Sequence, residues 1–578
     1  MKSRLTLCLL IALLFSAVIP VAGQTAMPNS KPQPATASME PTRDVNVEAL
    51  PMKIAPSAPP TGRFAHLRPQ NGLTDAQFAV LKQTVAQRRT ASPSAQALHP
   101  SESALSLAPD TPALQTNFDG INSNCSFVIP SDMALAASGS WVVQTVNDCF
   151  AVYNKSGALQ AGFPKDLNSL FGVPPNDFTA GQFVTDPRSF YDPVGNRFVI
   201  VALWEDLPNS RGLVEVAVSK TADPRGLWTI WARQIEGTGY CPDFPTVGHN
   251  RYGDKFVGVV AIGFNVFSCS PSGFGSFVES EVRFLPKVQL YKGQPFTYWY
   301  WYGFYDDTLQ PANVDDKSDA ARAIYVLQTH NINSGGGQCL NGCSDLILWA
   351  FSNVIYQGPS APGPELSLRV LPTSTYSLPP NASQPSTINT IDTNDVRISG
   401  RVAYSQGRMW ATVNTDNGGG GPGILAWELH ADLNDNGDGH CTGAFLNACP
   451  DLSGATIDRE MNYDVSPSGG YYSNAYFGTI HPDGGGNITM VFNFSGYTTY
   501  AGTNFLSQRV TLAPQATFHD GGSTLRNGLA AYPYGRWGDY TGTAWDGTNV
   551  WFSGMYANSS GSWNTGIGKT GYTSATQP

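Results

Sequence analysis

The stretch from Phe183 to Ile230 constrains the fold of this chain more than any other. It predicts four short strands, at residues 189–191, 197–204, 213–219 and 227–232, because β-rich or alternating runs lie between clear turn signals. The first turn is Asp192-Pro193-Val194-Gly195-Asn196, in which proline presets φ and glycine and asparagine tolerate positive φ. Four antiparallel strands in a meander make one blade of a β-propeller.

A single blade cannot bury both of its faces, so it needs copies of itself on either side. The chain has seven sites at which an aspartate precedes a short apolar strand, namely Asp132, Asp186, Asp243, Asp319, Asp395, Asp464 and Asp539. Their spacing fits four strands and the connecting loops. The sequence therefore predicts an all-β fold, a single propeller of seven four-stranded blades over residues 117–572. Six or eight blades also fit, because other acids lie near Asp319 and Asp464.

Several segments resemble a group of secreted bacterial β-propeller proteins, mostly of unknown function, that is loosely related to the sialidase and Asp-box repeat class. The segments are IPSDMALAASGSWVVQTVNDCFAVYNKSG, DPRSFYDPVGNRF, CPDFPTVG and RWGDYTGTAWDGTNVWFSGMYA. The resemblance covers roughly residues 117–570. It implies a fold and a compartment, and it does not imply a reaction.

The first 23 residues predict a secretory signal peptide, since Lys2 and Arg4 precede an apolar run that ends at small residues. No later apolar run is long enough to span a membrane. The net charge of −10, with 13% charged residues, argues against nucleic acid or anionic membrane as a partner. We expect an exported, monomeric protein, secreted or periplasmic, whose partners are a glycan or an extracellular protein.

Residues 24–116 are rich in Pro, Ala, Ser and Thr and predict a largely disordered leader. One short helix is expected near residues 74–89, where a capping pattern precedes Phe78, Leu81 and Val85 on one face. Two interpretations of the leader remain open. It is a linker whose helix docks on the propeller, or a pro-segment that is removed on maturation.

Eight cysteines remain after the signal peptide, and an even number in an exported chain argues for disulfides. Residues that are close in sequence are also close within a blade. We therefore predict local pairs, Cys125 with Cys149, Cys241 with Cys269, Cys339 with Cys343, and Cys441 with Cys449. Zinc at Cys339 and Cys343 has suitable spacing but lacks a second matching couple.

The segment from Asp432 to Gly439 matches the first half of a calcium loop, with oxygen ligands at Asp432, Asn434, Asn436 and Asp438. The twelfth position is Gly443 instead of the bidentate glutamate. Calcium is the only cofactor that the sequence suggests. The competing interpretation is a solvated acidic turn next to the Cys441 to Cys449 bridge.

The aromatic run from Tyr298 to Tyr305 allows two interpretations. It can be a platform on which sugar rings stack, or ordinary blade core in which aromatic residues alternate between the two faces of a strand.

Motifs for zinc proteases, serine hydrolases, phosphate loops and dinucleotide binding are absent from the sequence. Active sialidases bind a carboxylate with three arginines. The resemblance would place Arg188, Arg397 and Arg536 at one mouth of the channel, although these arginines can instead pair with the aspartates of the next blade. Residues 219–228 resemble one Asp box, which is a structural turn. A sialidase should have several boxes and an Arg-Ile-Pro tripeptide, and neither is found.

The sequence thus leaves two classes of function open. The first is a binding or surface-interaction propeller, and the alternative is a carbohydrate-active hydrolase or lyase with its site at the channel mouth. The catalytic candidates for that site are the residues beside the blade markers, Asp186, Arg188, Asp243, Arg397, Arg536 and Asp539.

Overall fold

The described part of the chain consists mostly of antiparallel strands. The structure, a computed structural model, describes residues 32–53, 75–90 and 110–572, except 127, 236, 252–256, 318–320, 322, 333–336, 356–362, 386–388, 432–451, 453, 464–472, 512–517 and 519–520. The predicted signal peptide, the markers Asp319 and Asp464, the calcium loop and the Cys441 to Cys449 pair lie outside these residues.

The described residues before blade 1 form three strands and one α-helix. They are β1 (Gln33–Met39), β2 (Pro41–Asn46), α1 (Asp75–Thr90) and β3 (Thr116–Asn122).

Within the described residues, antiparallel pairing links the strands into groups of four, which we call blades. β1 and β2 add a fifth strand to two of these groups, and short parallel bridges join several blades into one larger sheet. Blade 1 is β4 (Ala134–Ala137), β5 (Trp141–Val146), β6 (Cys149–Asn154) and β7 (Lys165–Asp166), followed by α2 (Leu167–Phe171). Blade 2 is β8 (Gln182–Asp192), β9 (Arg197–Asp206), β10 (Arg211–Ser219) and β11 (Leu227–Gln234). Blade 3 is β12 (Tyr240–His249), β13 (Val259–Ser270), β14 (Gly273–Pro286) and, after α3 (Lys287–Lys292), β15 (Phe296–Phe304).

The remaining blades follow the same order. Blade 4 is β16 (Gln310–Val314), β17 (Ile324–Thr329), β18 (Cys343–Ser352) and β19 (Glu365–Tyr376). Blade 5 is β20 (Val402–Ser405), β21 (Arg408–Asp416), β22 (Pro422–His430) and β23 (Thr456–Tyr463). Blade 6 is β24 (Ser473–Pro482), β25 (Ile488–Gly496), β26 (Thr499–Gln508) and β27 (Ser523–Arg526). Blade 7 is β28 (Gly542–Trp545), β29 (Val550–Ala557), β30 (Trp563–Thr570) and β3.

The first strand of each blade lies innermost and contacts the first strand of the next, in the cyclic order β4, β8, β12, β16, β20, β24, β28 and β4 again. Some of these neighbours are joined by parallel bridges, such as Ala312 with Val402. Apolar clusters fill the contacts between successive blades. This is the arrangement of a β-propeller.

The two ends of the folded region lie side by side, as the sequence predicts. β3 pairs antiparallel with β30, with Phe118 opposite Ile567. The Phe118 ring centroid lies 6.4 Å from that of Trp551. Residues from before blade 1 therefore supply the outer strand of blade 7, so that this edge is not left unpaired.

The described part of the leader contains two strands that its composition does not predict. β1 pairs with β15, from Gln33 opposite Tyr302 to Met39 opposite Phe296. β2 pairs with β11 of blade 2. A segment that cannot form a core of its own can still satisfy the exposed backbone groups of an edge strand. It also buries Ala37, Met39, Val45 and Val47.

Helix α1 forms where the capping pattern predicts it. Phe78 and Val85 are buried against Leu378, with Leu81 packed beside them. Lys82 on the same helix is buried and forms a 2.9 Å ion pair with Asp392. The helix therefore docks on the propeller, because a short helix gains most of its stability from such contacts.

Three of the four predicted disulfides lie in the described residues, and all three are present. They join Cys125 to Cys149, Cys241 to Cys269, and Cys339 to Cys343. The third bond rules out a zinc site at that pair, since zinc requires free thiolates. The Asp-box segment forms a turn in which the Trp228 indole donates to the Pro224 carbonyl at 2.8 Å.

The feature that repeats around the channel is a residue with positive φ, and only some of these residues are aspartates. Residues with φ between 40° and 59° lie within an innermost strand or in the segment before it, namely Asp132, Asp186, Phe244, Thr308, Asn394 and Phe477. The first strand of blade 4, β16, begins at Gln310, and Thr308 lies just before it. The predicted marker Asp319 lies outside the described residues, and its role stays a prediction.

Candidate functional site

The innermost strands all begin at one end of the channel, which we call the upper mouth, and end at the lower mouth. A cavity of about 380 Å³ lies at the upper mouth. It is lined by five of the six candidates from the sequence, Asp186, Asp243, Arg397, Arg536 and Asp539, and also by Asp132 and Glu205. Residues more than 350 positions apart in sequence thus meet at one site because the innermost strands converge there.

One wall of the cavity is apolar and is formed by Phe178, Phe183, Leu207 and Phe274. These side chains pack on the Cys241 to Cys269 disulfide. The cavity therefore combines a fixed apolar wall with a group of carboxyls, as small-molecule sites commonly do.

Arg188 does not line this cavity. Its guanidinium lies 3.3 Å from the centre of the Tyr540 ring and donates to the carbonyls of Pro245 and Ser399. These contacts hold Arg188 among the innermost strands. The structure thus does not bring the three arginines together on one ligand.

Two of the carboxylates at the upper mouth have structural roles. The Asp132 carboxylate accepts hydrogen bonds from the Asp539 amide at 2.7 Å and the Asn147 side chain at 2.6 Å. The Asp186 carboxylate accepts from the Phe244 amide at 3.2 Å. Each therefore ties its own blade to the next one around the ring. Burial, with the charges of Asp539 and Asp186, raises the pKa of Asp132 well above its ordinary value.

Glu205, near the end of β9, is different. Its side chain is fully buried and lines the cavity. In the described part of the chain, neither carboxyl oxygen has a hydrogen-bond partner. Burial raises its pKa well above the ordinary value, and the charges of Asp243 and Asp186 raise it further. A buried carboxyl with no partner costs stability, so it needs an explanation other than folding.

The backbone opposite Glu205 leaves room for its carboxyl. Gly212 of β10 pairs with Glu205, and a Cβ at Gly212 would lie 2.6 Å from Glu205 Oε2. A side chain at this position would push the carboxyl or Pro242 out of place.

Asp243 lines the cavity beside Glu205 and is partly exposed. Desolvation and the charge of Asp186 raise its pKa well above the ordinary value, while Arg397 opposes the shift. Desolvation also raises the pKa of Asp539 to about 6, against the charge of Arg536. The upper mouth therefore holds carboxyls that stay protonated at a pH where an exposed carboxyl is ionised.

The two arginines of the cavity pair within their own chain segment and not with the next blade, which corrects the sequence-based alternative. Arg397 binds Asp395 through Nε and Nη2, at 2.8 and 2.7 Å. Arg536 binds Asp539 through Nη2 at 3.0 Å. Nε and Nη1 of Arg536 have no hydrogen-bond partner in the described part of the chain. Arg536 can therefore donate to a ligand in the cavity.

The lower mouth carries a second group of charged side chains, which are paired with one another. Lys287 Nζ lies 2.6 Å from an Asp192 carboxylate oxygen and 3.0 Å from His249 Nδ1. His249 Nε2 lies 3.1 Å from Asp315, and His481 Nε2 lies 2.8 Å from the other oxygen of Asp315.

Arg401 completes this lower network, with Nη2 2.9 Å from Asp315. Desolvation opposes ionisation of Asp192 and Asp315, but their cationic neighbours outweigh it and hold the pKa of both carboxyls below the ordinary value. Every charge of the lower network thus has an opposite partner.

No group of three or more His, Cys, Asp or Glu side chains in the described residues is arranged to hold a metal ion. The described residues also include no helix that is long and apolar enough to cross a membrane.

Glu205 is not among the candidates predicted from the sequence, in which it lies just past the end of a predicted strand. The available signal was a glutamate and an aspartate that directly follow the apolar run from Phe198 to Trp204. In the aromatic run, Tyr298 and Trp301 are fully buried and Phe304 nearly so, as the core interpretation predicts. Tyr302 is exposed.

No protein-family model matches the chain, and no curated protein matches it. Solved structures of low similarity include the extracellular domains 1–2 of Drosophila Semaphorin 1b, with 8% identity, TM-score 0.32, and coverage of 80% of this chain and 88% of that one. Another is a subtype N10 neuraminidase-like protein of A/little yellow-shouldered bat/Guatemala, with 7% identity, TM-score 0.29, and coverage of 68% and 98%.

A third is xylan β-1,4-xylosidase from Bacillus halodurans, with 8% identity, TM-score 0.27, and coverage of 68% and 55%. At such low identities and TM-scores, these likenesses assign no activity to the chain.

Proposed function

We propose that the chain is an exported, seven-bladed propeller that hydrolyses a glycosidic bond in the cavity of the upper mouth. The observation that carries this proposal is Glu205, a fully buried carboxyl that lines the cavity with neither oxygen hydrogen-bonded in the described residues. Three disulfides support export, since such bonds persist in oxidising compartments.

The chemistry follows from two neighbouring carboxyls that cannot easily be ionised together. Glu205 and Asp243 each raise the free energy of the other's charged form, so the pair tends to hold one proton. In this proposal Glu205 is the general acid, which protonates the oxygen of the leaving sugar. When Glu205 holds the proton that the pair shares, Asp243 carries the negative charge, since Arg397 opposes the rise in the pKa of Asp243; it then activates water or attacks the anomeric carbon.

Other groups of the cavity have roles in holding the sugar. The two unpaired donors of Arg536 can bind hydroxyl or carboxylate oxygens of the substrate. The apolar wall, with Phe178 and Phe274, can pack against the CH face of the ring. Asp132 and Asp186 hold the blades in place and do not take part in the reaction.

The experiment is a screen of aryl glycosides and plant and bacterial polysaccharides with wild type, Glu205→Gln and Glu215→Gln. Glu215 is a matched control, because it is a buried glutamate of the same blade that does not line the cavity. The proposal expects E205Q to lose roughly 10²-fold or more of the wild-type rate, as removal of a general acid does. E215Q should keep the wild-type rate.

Two results would count against the hydrolase. If wild type binds a glycan without cleaving it, and E205Q binds it equally well, the protein is a binding propeller. If E205Q and E215Q lose the same fraction of the rate, Glu205 has no chemical role.

A further inference from the structure

A second cavity, of about 360 Å³, lies on blade 3 away from the channel mouth. Tyr240, Tyr300 and Tyr302 form its aromatic walls. The ring centroids of Tyr300 and Tyr302 are 6.0 Å apart, and the rings are inclined at 37°. Tyr240 and Tyr302 are 37% and 38% exposed, so the cavity opens to solvent.

Two glutamates of β14, Glu279 and Glu281, face the same cavity. Glu281 forms an ion pair with Arg283, whose Nε lies 2.6 Å from Glu281 Oε1. Glu279 accepts a hydrogen bond from the Gly303 amide, and no described basic side chain forms an ion pair with it. The cavity thus has one carboxylate whose charge the protein leaves unbalanced.

We propose that this cavity binds a small organic ammonium ion, held by the faces of the tyrosine rings and by the Glu279 carboxylate. Aromatic faces carry negative electrostatic potential and attract weakly hydrated cations, and a nearby carboxylate adds to that attraction. A neutral sugar could accept hydrogen bonds from the tyrosine hydroxyls, but it carries no charge for the carboxylate to attract. The Glu279 carboxylate therefore favours the cation.

The titration of Glu279 agrees with this ligand. Burial raises the pKa of Glu279 to about 7, and the neighbouring charge of Glu281 contributes. Arg283 belongs to the same strand and binds Glu281. The groups that face Glu279 from β12 and β15 are the tyrosines. Bound cation should therefore favour the ionised form of Glu279, and affinity should fall as the pH drops below about 7.

The leader takes part in this site. Ala35 of β1 lines the cavity and pairs with Tyr300 of β15. The cavity therefore has this wall only when the leader is seated on blade 3.

The experiment titrates wild-type protein with choline and with tetramethylammonium at about pH 8 by calorimetry and tyrosine fluorescence. The variants are Glu279→Gln and Tyr302→Leu, with Tyr497→Leu as the control, because Tyr497 is an exposed tyrosine of blade 6, 65% accessible. We expect millimolar or tighter binding, weakened roughly tenfold by E279Q and by Y302L and unchanged by Y497L.

Absence of choline and tetramethylammonium binding up to about 50 mM would overturn the proposal. Equal binding by wild type and both cavity variants would do so as well. Binding of glucose or xylose at this site in place of the ammonium ions would replace the proposed ligand by a sugar. None of these outcomes depends on cleavage at the upper mouth.

Discussion

Both mouths of the channel contain buried carboxyl groups, but the pKa shifts of these groups have opposite signs. At the lower mouth, Asp192 and Asp315 are each bonded to cations, and the pKa of each carboxyl is lowered. At the upper mouth, Glu205 lacks a hydrogen-bond partner in the described residues, and its pKa is raised. The difference indicates that the lower network serves the fold, whereas Glu205 at the upper mouth is kept at a cost to stability.

The strongest test of this contrast breaks the lower network. Lys287→Met leaves the Asp192 carboxylate buried without its cation, and we expect unfolding free energy to fall by about 3–5 kcal/mol. Denaturant titration measures the loss. The control is Lys220→Met, which removes an exposed ion pair with Asp44 and should cost about 1 kcal/mol or less. A loss in K287M no larger than in K220M would show that the lower network is not structural.

A second test compares the disulfide that supports the apolar wall of the upper cavity with a disulfide elsewhere in the fold. Replacing Cys241 and Cys269 by Ala opens a loop of 28 residues and should cost roughly 3.5 kcal/mol, while replacing Cys339 and Cys343 opens a loop of 4 and should cost roughly 2. Thermal and denaturant unfolding measure both.

The first pair also supports Phe183 and Leu207 in the cavity wall. Its loss should therefore lower glycan binding or cleavage, which the second pair should leave unchanged. Equal functional loss in both variants would mean that this wall does not shape the site.

The pH dependence of stability should have opposite signs at the two mouths. A carboxyl with a raised pKa, such as Glu205, lowers the free energy of unfolding as the pH rises from its pKa in the unfolded chain, 4.5, toward its higher pKa in the folded protein. Carboxyls with lowered pKa, Asp192 and Asp315, lose their contribution to stability as the pH falls below about 4. E205Q should therefore flatten the decline of stability on the alkaline side of pH 4.5, by up to about 1.4 kcal/mol for each pH unit.

Denaturant titrations of wild type and E205Q between about pH 3 and pH 8 provide the measurement. Parallel curves for the two proteins above pH 4.5 would mean that Glu205 titrates as an exposed carboxyl does.

Much of the architecture follows from local signals. The meander around Asp192-Pro193-Val194-Gly195-Asn196 and the three local disulfides could be predicted, because each depends on turn chemistry or a short separation in sequence. The pairing of Phe118 with blade 7 is long-range, and it could be predicted because a closed ring needs its last blade joined to its first. The pairing of β1 and β2 with blades 2 and 3 could not, because an edge strand accepts almost any extended segment without Pro at a donor position.

The site was predictable only in part. Asp186, Asp243 and Asp539 could be found because they recur at the start of innermost strands. Glu205 does not recur, since its carboxyl enters the cavity from the second strand of blade 2 through space left by Gly212. Only the three-dimensional packing reveals that its oxygens have no partner among the described residues.

The most direct measurement of the central claim is the unfolding free energy of Glu205→Gln against wild type at about pH 7, taken together with its activity. If the Glu205 carboxyl is kept for chemistry, the neutral amide should leave stability unchanged or raise it by about 1 kcal/mol while activity is lost. A clear loss of stability in E205Q, with activity retained in the fraction that stays folded, would contradict the account.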